Sequence, residues 1–330
     1  MFRVGVTADV RGEDGACVYD LGLLDEAPGV EWEFVGEQEA ELDAADVAGY
    51  DAVIVFSPVV TAASLEGADR LLVLARLGVG YDRVDVDACT AQGVLLTIAP
   101  DGVRRPMAAG AMAFVLALAH RLFQKDRDVR EGRWERFANV GVGLTGRTLG
   151  LIGVGNVGTD VVRLSEPFAL RRLACDPYCE APPPGVELVE LDTLFGESDF
   201  VVVLCPLTDE TRGLVGAEQL ALMKPTAFLV NIARGPIVDQ GALTAALRER
   251  RIAGAALDVF EPEPIDPSDP LLELDNVILA PHALGLTDEI FRSSGVSACR
   301  SVLAVAEGRV PEYVVNREAL SHAKLRDRLR

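Results

Sequence analysis

Thr148-Leu149-Gly150-Leu151-Ile152 runs directly into Gly153-Val154-Gly155-Asn156-Val157-Gly158, and Leu173-Ala174-Cys175-Asp176 follows. An apolar strand-like stretch, a G-x-G-x-x-G turn, a helix-compatible continuation and an acidic residue roughly 20 positions on together specify a βαβ unit built to hold a dinucleotide. Gly153 permits the tight turn, Gly155 lets backbone approach a pyrophosphate, and Gly158 allows close helix-strand packing. The unpaired N–H groups of the helix start, at Asn156 and Val157, suit the phosphates. Asp176 can accept both hydroxyls of an adenosine ribose and would repel a 2′-phosphate, so the expected cofactor is NAD rather than NADP.

That unit occupies only the middle of a 330-residue chain, long enough for about two domains, and 49% hydrophobic residues can fill a core in each. A formal net charge of −20 excludes nucleic acid and anionic membranes as expected partners, since neither finds a basic face. An anionic substrate must then be captured by a few local arginines acting against the overall field. The six cysteines, Cys17, Cys89, Cys175, Cys179, Cys205 and Cys299, lack paired C-x-x-C spacing and read as reduced core residues. With three histidines in the chain, Cys175 and Cys179 lack partners for zinc, and no metal is expected. Met1 leads straight into strand-like sequence, and no uninterrupted apolar run reaches 18 residues, so the expected location is cytoplasmic.

Apolar, β-branched runs at Arg3 to Val6, Ala52 to Phe56, Leu71 to Leu74 and Val94 to Ile98 alternate with helix-compatible segments. This first βα domain has no glycine fingerprint and is expected to carry the substrate. Met107 to Gln124, rich in alanine and leucine after Pro106, reads as one long buried helix bridging two domains or two subunits. Further strands are expected at Phe200 to Leu204, Ala227 to Ile232, Ala255 to Asp258 and Val277 to Leu279, with a helix at Gln240 to Arg250. The fold class is therefore α/β, with a Rossmann-type doubly wound parallel sheet. Beyond Leu286 comes one amphipathic helix, Glu289 to Glu307, in a segment too short for a third domain.

Acid-base candidates are few. His120 falls within the apolar helix and His322 lies near the end, whereas His282 follows Ala280-Pro281 at the carboxyl end of a strand, where open α/β sheets gather ligands. Arg234 follows the strand ending at Asn231-Ile232-Ala233, and Asp258, Glu261 and Glu263 follow the next. Beside a nicotinamide, an arginine can hold a carboxylate bidentately, a histidine can pass a proton, and a carboxylate can orient the imidazole.

These residues resemble the D-isomer-specific 2-hydroxyacid dehydrogenases, a family that includes glyoxylate/hydroxypyruvate reductases and phosphoglycerate dehydrogenases. The resemblance covers nearly the whole chain. It is carried by Leu77-Gly78-Val79-Gly80-Tyr81-Asp82, the GVGNVG fingerprint, Cys205-Pro206-Leu207-Thr208 with Glu210-Thr211, Asn231 to Gly235, Leu257 to Pro264, and Ala280-Pro281-His282. It implies that His282 is the general acid/base, Glu263 its partner, and Arg234 the group that binds carboxylate and ketone. Asp258 would contact the nicotinamide carboxamide, and Cys205, Pro206, Thr208, Thr211, Ile232, Ala233, Arg234 and His282 would line the cofactor cleft. Ser57 and the backbone at Val79 and Gly80 would meet the substrate. The resemblance further implies a flavodoxin-like α/β substrate domain built from both chain ends, residues 1–100 and 287–330. Residues 101–286 would form the NAD-binding domain, and a homodimer would form through the helix after residue 106.

Several positions depart from the family pattern. Arg83 replaces a frequent asparagine, Ala109 a usual acidic residue, and Leu284 and Leu286 stand beside His282 where glycine and a small polar or aromatic residue are more typical. Arg104 and Arg105 either read a second anionic group on the substrate or pair with acidic neighbours. The expected activity is reversible hydride transfer between NAD(H) and a small anionic 2-keto/2-hydroxy acid pair. Glu263 argues against formate as substrate, because formate enzymes of this architecture carry glutamine there. Phosphoglycerate, phosphonate or phosphite oxidation is an alternative on the same fold, and an NAD(H)-sensing corepressor-like binding protein is one from another class.

Overall fold

The computed structural model describes residues 1–36, 40–326, 328 and 329. Two compact units divide the chain: Met1–Val103 with Leu286–Arg330, and Arg104–Gly285. The sequence expectation places these boundaries at residues 100 and 287; Asp327 and Arg330 lie outside the described residues.

In unit 1, β1 (Phe2–Thr7), β2 (Val30–Val35), β3 (Ala52–Val55), β4 (Val73–Arg76) and β5 (Leu95–Thr97) form a parallel sheet in the order β2-β1-β3-β4-β5. This is the flavodoxin-like order. Side chains alternate between its faces. Val4, Val6, Ile54, Val73 and Ala75 pack with Ala298, Cys299 and Val302 of the helix Asp288–Ala306, while Val53, Val55 and Leu74 pack with Leu42 and Leu65. The segment after Leu286 thus completes the core begun by the first hundred residues. Sequence reading misses β2, whose apolar residues alternate with Glu31 and Glu33: it is an edge strand, and only one of its faces meets the core.

In unit 2, β6 (Thr148–Ile152), β7 (Arg171–Cys175), β8 (Val186–Leu188), β9 (Phe200–Val203), β10 (Phe228–Asn231), β11 (Gly254–Leu257) and β12 (Val277–Leu279) are all parallel, in the order β12-β11-β10-β9-β6-β7-β8. The order reverses beside β6, which makes its carboxyl end the switch point of a doubly wound sheet. Leu149, Leu151, Val202 and Val230 face one core, and Ile152, Val201, Val203 and Leu229 the other. Burial on both sides is why these strands read as continuous apolar runs.

The long helix differs from expectation. It spans Pro100–Ala119, with Pro106 inside it, and a second helix covers Leu122–Arg130. Pro100 supplies a first-turn proline that needs no N–H partner, so the helix starts earlier than Pro106. Arg121, with φ of 50°, breaks the run before Leu122. By length and composition this 20-residue helix could cross a membrane, but Ala108, Ala111, Met112, Val115 and Leu118 are buried in the core of unit 2.

Candidate functional site

Parallel register brings the carboxyl ends of β6, β7, β9, β10, β11 and β12 to one edge of unit 2, and nearly every candidate residue of that unit leaves from it. After β6, Gly153 has φ of 93°, and a Cβ there would sit 2.9 Å from the Cys205 nitrogen. A Cβ at Gly158 would lie 2.7 Å from the Gly153 carbonyl oxygen. Both positions exclude a side chain on protein sterics alone. Gly155 differs, because a Cβ there meets no protein atom within 4 Å. The protein's own packing does not demand glycine at that point, whereas a phosphate drawn against the backbone would. Gly155 is also the N-cap of the helix Asn156–Ser165, whose first N–H groups face the same turn.

At the end of β7, Asp176 accepts from the backbone N–H of Val154 through Oδ2 at 3.0 Å and of Tyr178 through Oδ1 at 3.0 Å. Its carboxylate is therefore oriented by the glycine turn itself. Tyr178 donates its hydroxyl to Glu210 at 2.7 Å, tying the loop after β7 to the loop after β9. In the latter, the Thr211 hydroxyl donates to the Pro206 carbonyl at 2.6 Å and Thr208 N–H donates to that hydroxyl at 2.8 Å, which fixes a compact turn. Cys205 is half-buried, and burial pushes its thiol up to about 11, so it behaves as a neutral wall residue. These residues fit a dinucleotide with an adenosine diol at Asp176.

Beyond β10 the buried Asn231 shapes the turn that presents Arg234. Its Oδ1 accepts from Ala233 N–H at 3.1 Å and its Nδ2 donates to the Arg234 carbonyl at 3.0 Å. Ile232 is buried, and Arg234 also donates to the Ala233 carbonyl at 2.7 Å. The sequence motif contains Asn231, but only the fold reveals its role.

His282 leaves β12 with φ of 53°, in the left-handed region, and its Nδ1 lies 2.8 Å from Glu263 Oε2. The other oxygen, Oε1, accepts from Phe260 N–H at 3.0 Å. Burial works against ionisation of Glu263. The His282 hydrogen bond, the Phe260 N–H and the charges of His282 and Arg234 outweigh it and hold the carboxyl below the usual carboxylate range. Asp258, buried at the end of β11, turns Oδ1 to the N–H groups of Ala283 at 2.8 Å and Leu284 at 3.0 Å. In this structure it holds the turn that carries His282. Burial raises its carboxyl, with those N–H groups and His282 opposing.

Arg104 and Arg105 both turn to Asp160, a buried carboxylate on the fingerprint helix. The Nε atoms lie 3.6 Å and 3.3 Å from Oδ2, and Arg163 approaches Oδ1 at 3.2 Å. Of the two expectations for these arginines, this arrangement is the pairing with an acidic neighbour. Asp160 itself carries no sequence signal, since a polar residue within a helix reads as exposed.

The remaining candidates belong to unit 1. Ser57, exposed after β3, donates its N–H to Asp9 Oδ2 at 2.8 Å. Val79 and Gly80 are half-buried in the loop after β4.

A family model described as the NAD-binding domain of D-isomer specific 2-hydroxyacid dehydrogenases matches residues 112–283. A glyoxylate reductase of Korarchaeum cryptofilum is 42% identical over 262 residues, covering 77% of this chain and 79% of that protein. A D-3-phosphoglycerate dehydrogenase of Archaeoglobus fulgidus is 40% identical over 275 residues, 82% of this chain, which spans about half (52%) of that longer protein. Among solved structures, D-lactate dehydrogenase from Aquifex aeolicus, complexed with NAD and lactic acid, superposes with a TM-score of 0.81. The two are 27% identical, and the match covers 92% of this chain and 96% of that one.

Proposed function

Because the chain belongs to the D-isomer-specific 2-hydroxyacid dehydrogenase family, an NAD-dependent oxidoreductase family, we propose that it interconverts a small 2-keto acid and its D-2-hydroxy acid, with His282 as general acid/base. The observation that carries this reading is the 2.8 Å His282–Glu263 pair on the sheet edge that also bears the dinucleotide fingerprint.

Gly153, Gly155, Asn156, Val157 and Gly158 would hold the pyrophosphate and Asp176 the ribose. Cys205, Pro206, Thr208, Thr211, Ile232 and Ala233 would line the remaining cleft. NAD, when bound, supplies or accepts the hydride. The protein's part is charge and proton. With Nδ1–H donated to Glu263, His282 presents Nε2 to the reacting oxygen. In reduction it delivers a proton there as negative charge develops, and in oxidation it takes that proton back. Ionised Glu263 favours the imidazolium that the reductive direction consumes. Arg234 pairs with the substrate carboxylate and polarises the adjacent carbonyl. Within unit 1, the backbone N–H groups of Val79 and Gly80, with Ser57 in the neighbouring loop, are themselves suited to a carboxylate.

The pairing of Arg104 and Arg105 with Asp160 favours a substrate with one carboxylate, of the glyoxylate or hydroxypyruvate kind, over a phosphorylated one. A homodimer belongs to the same reading. Leu122, Phe123, Val129, Trp134, Phe137 and Val140 are large, apolar and exposed within one short segment, as a surface awaiting a second copy would be.

NADH oxidation by purified protein against glyoxylate, hydroxypyruvate, phosphohydroxypyruvate and 2-ketoglutarate tests the proposal. Glyoxylate or hydroxypyruvate is expected to exceed phosphohydroxypyruvate at least about tenfold in kcat/KM. Preference for the phosphorylated acid would return Arg104 and Arg105 to the substrate, and tight NADH binding without turnover on any keto acid would overturn the reading.

A further inference from the structure

We infer that Arg76 is a positioning residue for the substrate carboxylate, acting through the backbone of two loops of unit 1 rather than by touching substrate; the assignment rests on the 2-keto acid reading above. Arg76 ends β4 and is 8% exposed. A guanidinium taken so far out of water needs hydrogen-bond partners. It donates from Nε to the Gly80 carbonyl at 3.0 Å and from a terminal nitrogen to the Phe56 carbonyl.

Each bond fixes a peptide that matters for an anion. In the loop after β4, the Gly78 carbonyl accepts from Ala99 N–H at 3.0 Å and the Gly80 carbonyl from Arg76. Among the described residues, the N–H groups of Val79 and Gly80 donate to no protein group. Carbonyls tied down on either side of successive free N–H groups make a concavity suited to a carboxylate. After β3, the Phe56–Ser57 peptide is held at both ends. Its carbonyl goes to Arg76, and its N–H goes to Asp9 Oδ2 at 2.8 Å. Since a peptide unit is planar, clamping both ends fixes its orientation and with it the start of Ser57. One fork thus couples the two loops that carry Ser57, Val79 and Gly80, and it sets a positive charge within reach of both in a chain of net charge −20. Lysine would keep the charge, but a single point donor cannot bridge two separated carbonyls as the fork does.

Steady-state kinetics of the NADH-bound enzyme with Arg76→Lys, Arg76→Gln and Asp9→Ala test the assignment, with oxalate as a carboxylate probe and the methyl ester of the preferred keto acid as a neutral substrate. Arg76→Gln is expected to raise KM for the keto acid and the inhibition constant for oxalate at least about tenfold, leaving KM for NADH unchanged. Arg76→Lys falls between it and wild type, and Asp9→Ala, which frees only the Ser57 end, produces a smaller rise. The decisive ratio is acid against ester: the wild-type preference for the acid falls in all three variants, which general loosening of unit 1 would not produce. Asp9→Ala removes a side chain whose Oδ1 is buried without a partner, so it keeps the test open if Arg76→Gln fails to fold. Equal losses for acid and ester, or an unchanged KM, with an active wild type overturn the role of Arg76 alone. A wild type inactive on every keto acid overturns the functional reading and the assignment with it.

Discussion

His282 holds a left-handed backbone conformation that a β-carbon normally disfavours, so its neighbours must hold it there. They do so by bonding its own N–H to the Ala280 carbonyl at 3.1 Å and by giving the next two N–H groups to Asp258. Asparagine tolerates that conformation better than most residues, so His282→Asn removes the imidazole with little disturbance to the turn. It is expected to lower kcat about 10²–10⁴-fold while NADH still binds, as judged by fluorescence titration. Glu263→Gln probes the partner. The folded carboxyl of Glu263 titrates below its ordinary range, so its support for the pair is complete above the unfolded value and is lost as pH falls through the lowered one. An amide in its place leaves an acceptor but no charge, and a protonated imidazole survives to higher pH beside a carboxylate than beside an amide. The basic limb of the reductive pH profile should therefore move toward acid in Glu263→Gln, measured as kcat/KM across pH. An unmoved limb would remove Glu263 from proton control.

At the level of elements, the glycine turn separates two reasons for glycine. Gly158→Ala drives a Cβ against the Gly153 carbonyl, 2.7 Å away, and should lower both Tm and NADH affinity. Gly155→Ala meets no protein atom, so it should cost under about 1 kcal/mol of stability, the difference between glycine and alanine at an N-cap, yet weaken NADH at least tenfold. Thermal melts and NADH titrations of the two variants check this contrast. The same turn was legible in the sequence because its requirements are local, and so were β6, β9, β10 and β12, whose largely apolar runs record burial on both faces. His282 and Arg234 stand out in the sequence as strand-end residues, whereas Glu263 is singled out from Asp258 and Glu261 only by the family resemblance. What stayed hidden depends on partners distant in sequence. β2 alternates acidic and apolar residues because it is an edge strand, and the start of the long helix at Pro100 could not be told from a loop. Arg76, Asp9 and Asp160 gain their roles from contacts across 20, 48 and roughly 55 positions, and no local pattern marks them.

Over the whole molecule, 51 acidic residues stand against 31 basic ones, and an anionic substrate approaches through a repulsive field. Many arginines are spent on acidic neighbours: Arg3 on Glu33, Arg70 on Asp51, Arg171 on Glu187 and Glu197, Arg104 and Arg105 on Asp160. They cancel charge locally and leave the long-range field negative. Salt then acts on encounter more than on chemistry. The screening length falls from about 30 Å at 0.01 M to about 8 Å at physiological ionic strength, so distant carboxylates cease to repel while contacts within a few ångströms persist. For a keto acid, kcat/KM should rise with added salt over that range and kcat should stay nearly constant, because bound substrate already sits within short-range contacts. The neutral methyl ester of the same acid should show no such rise, which separates the field from any general effect of salt on the enzyme. A fall in kcat/KM with salt would mean instead that local positive charge, that of Arg234 foremost, governs approach over the net charge.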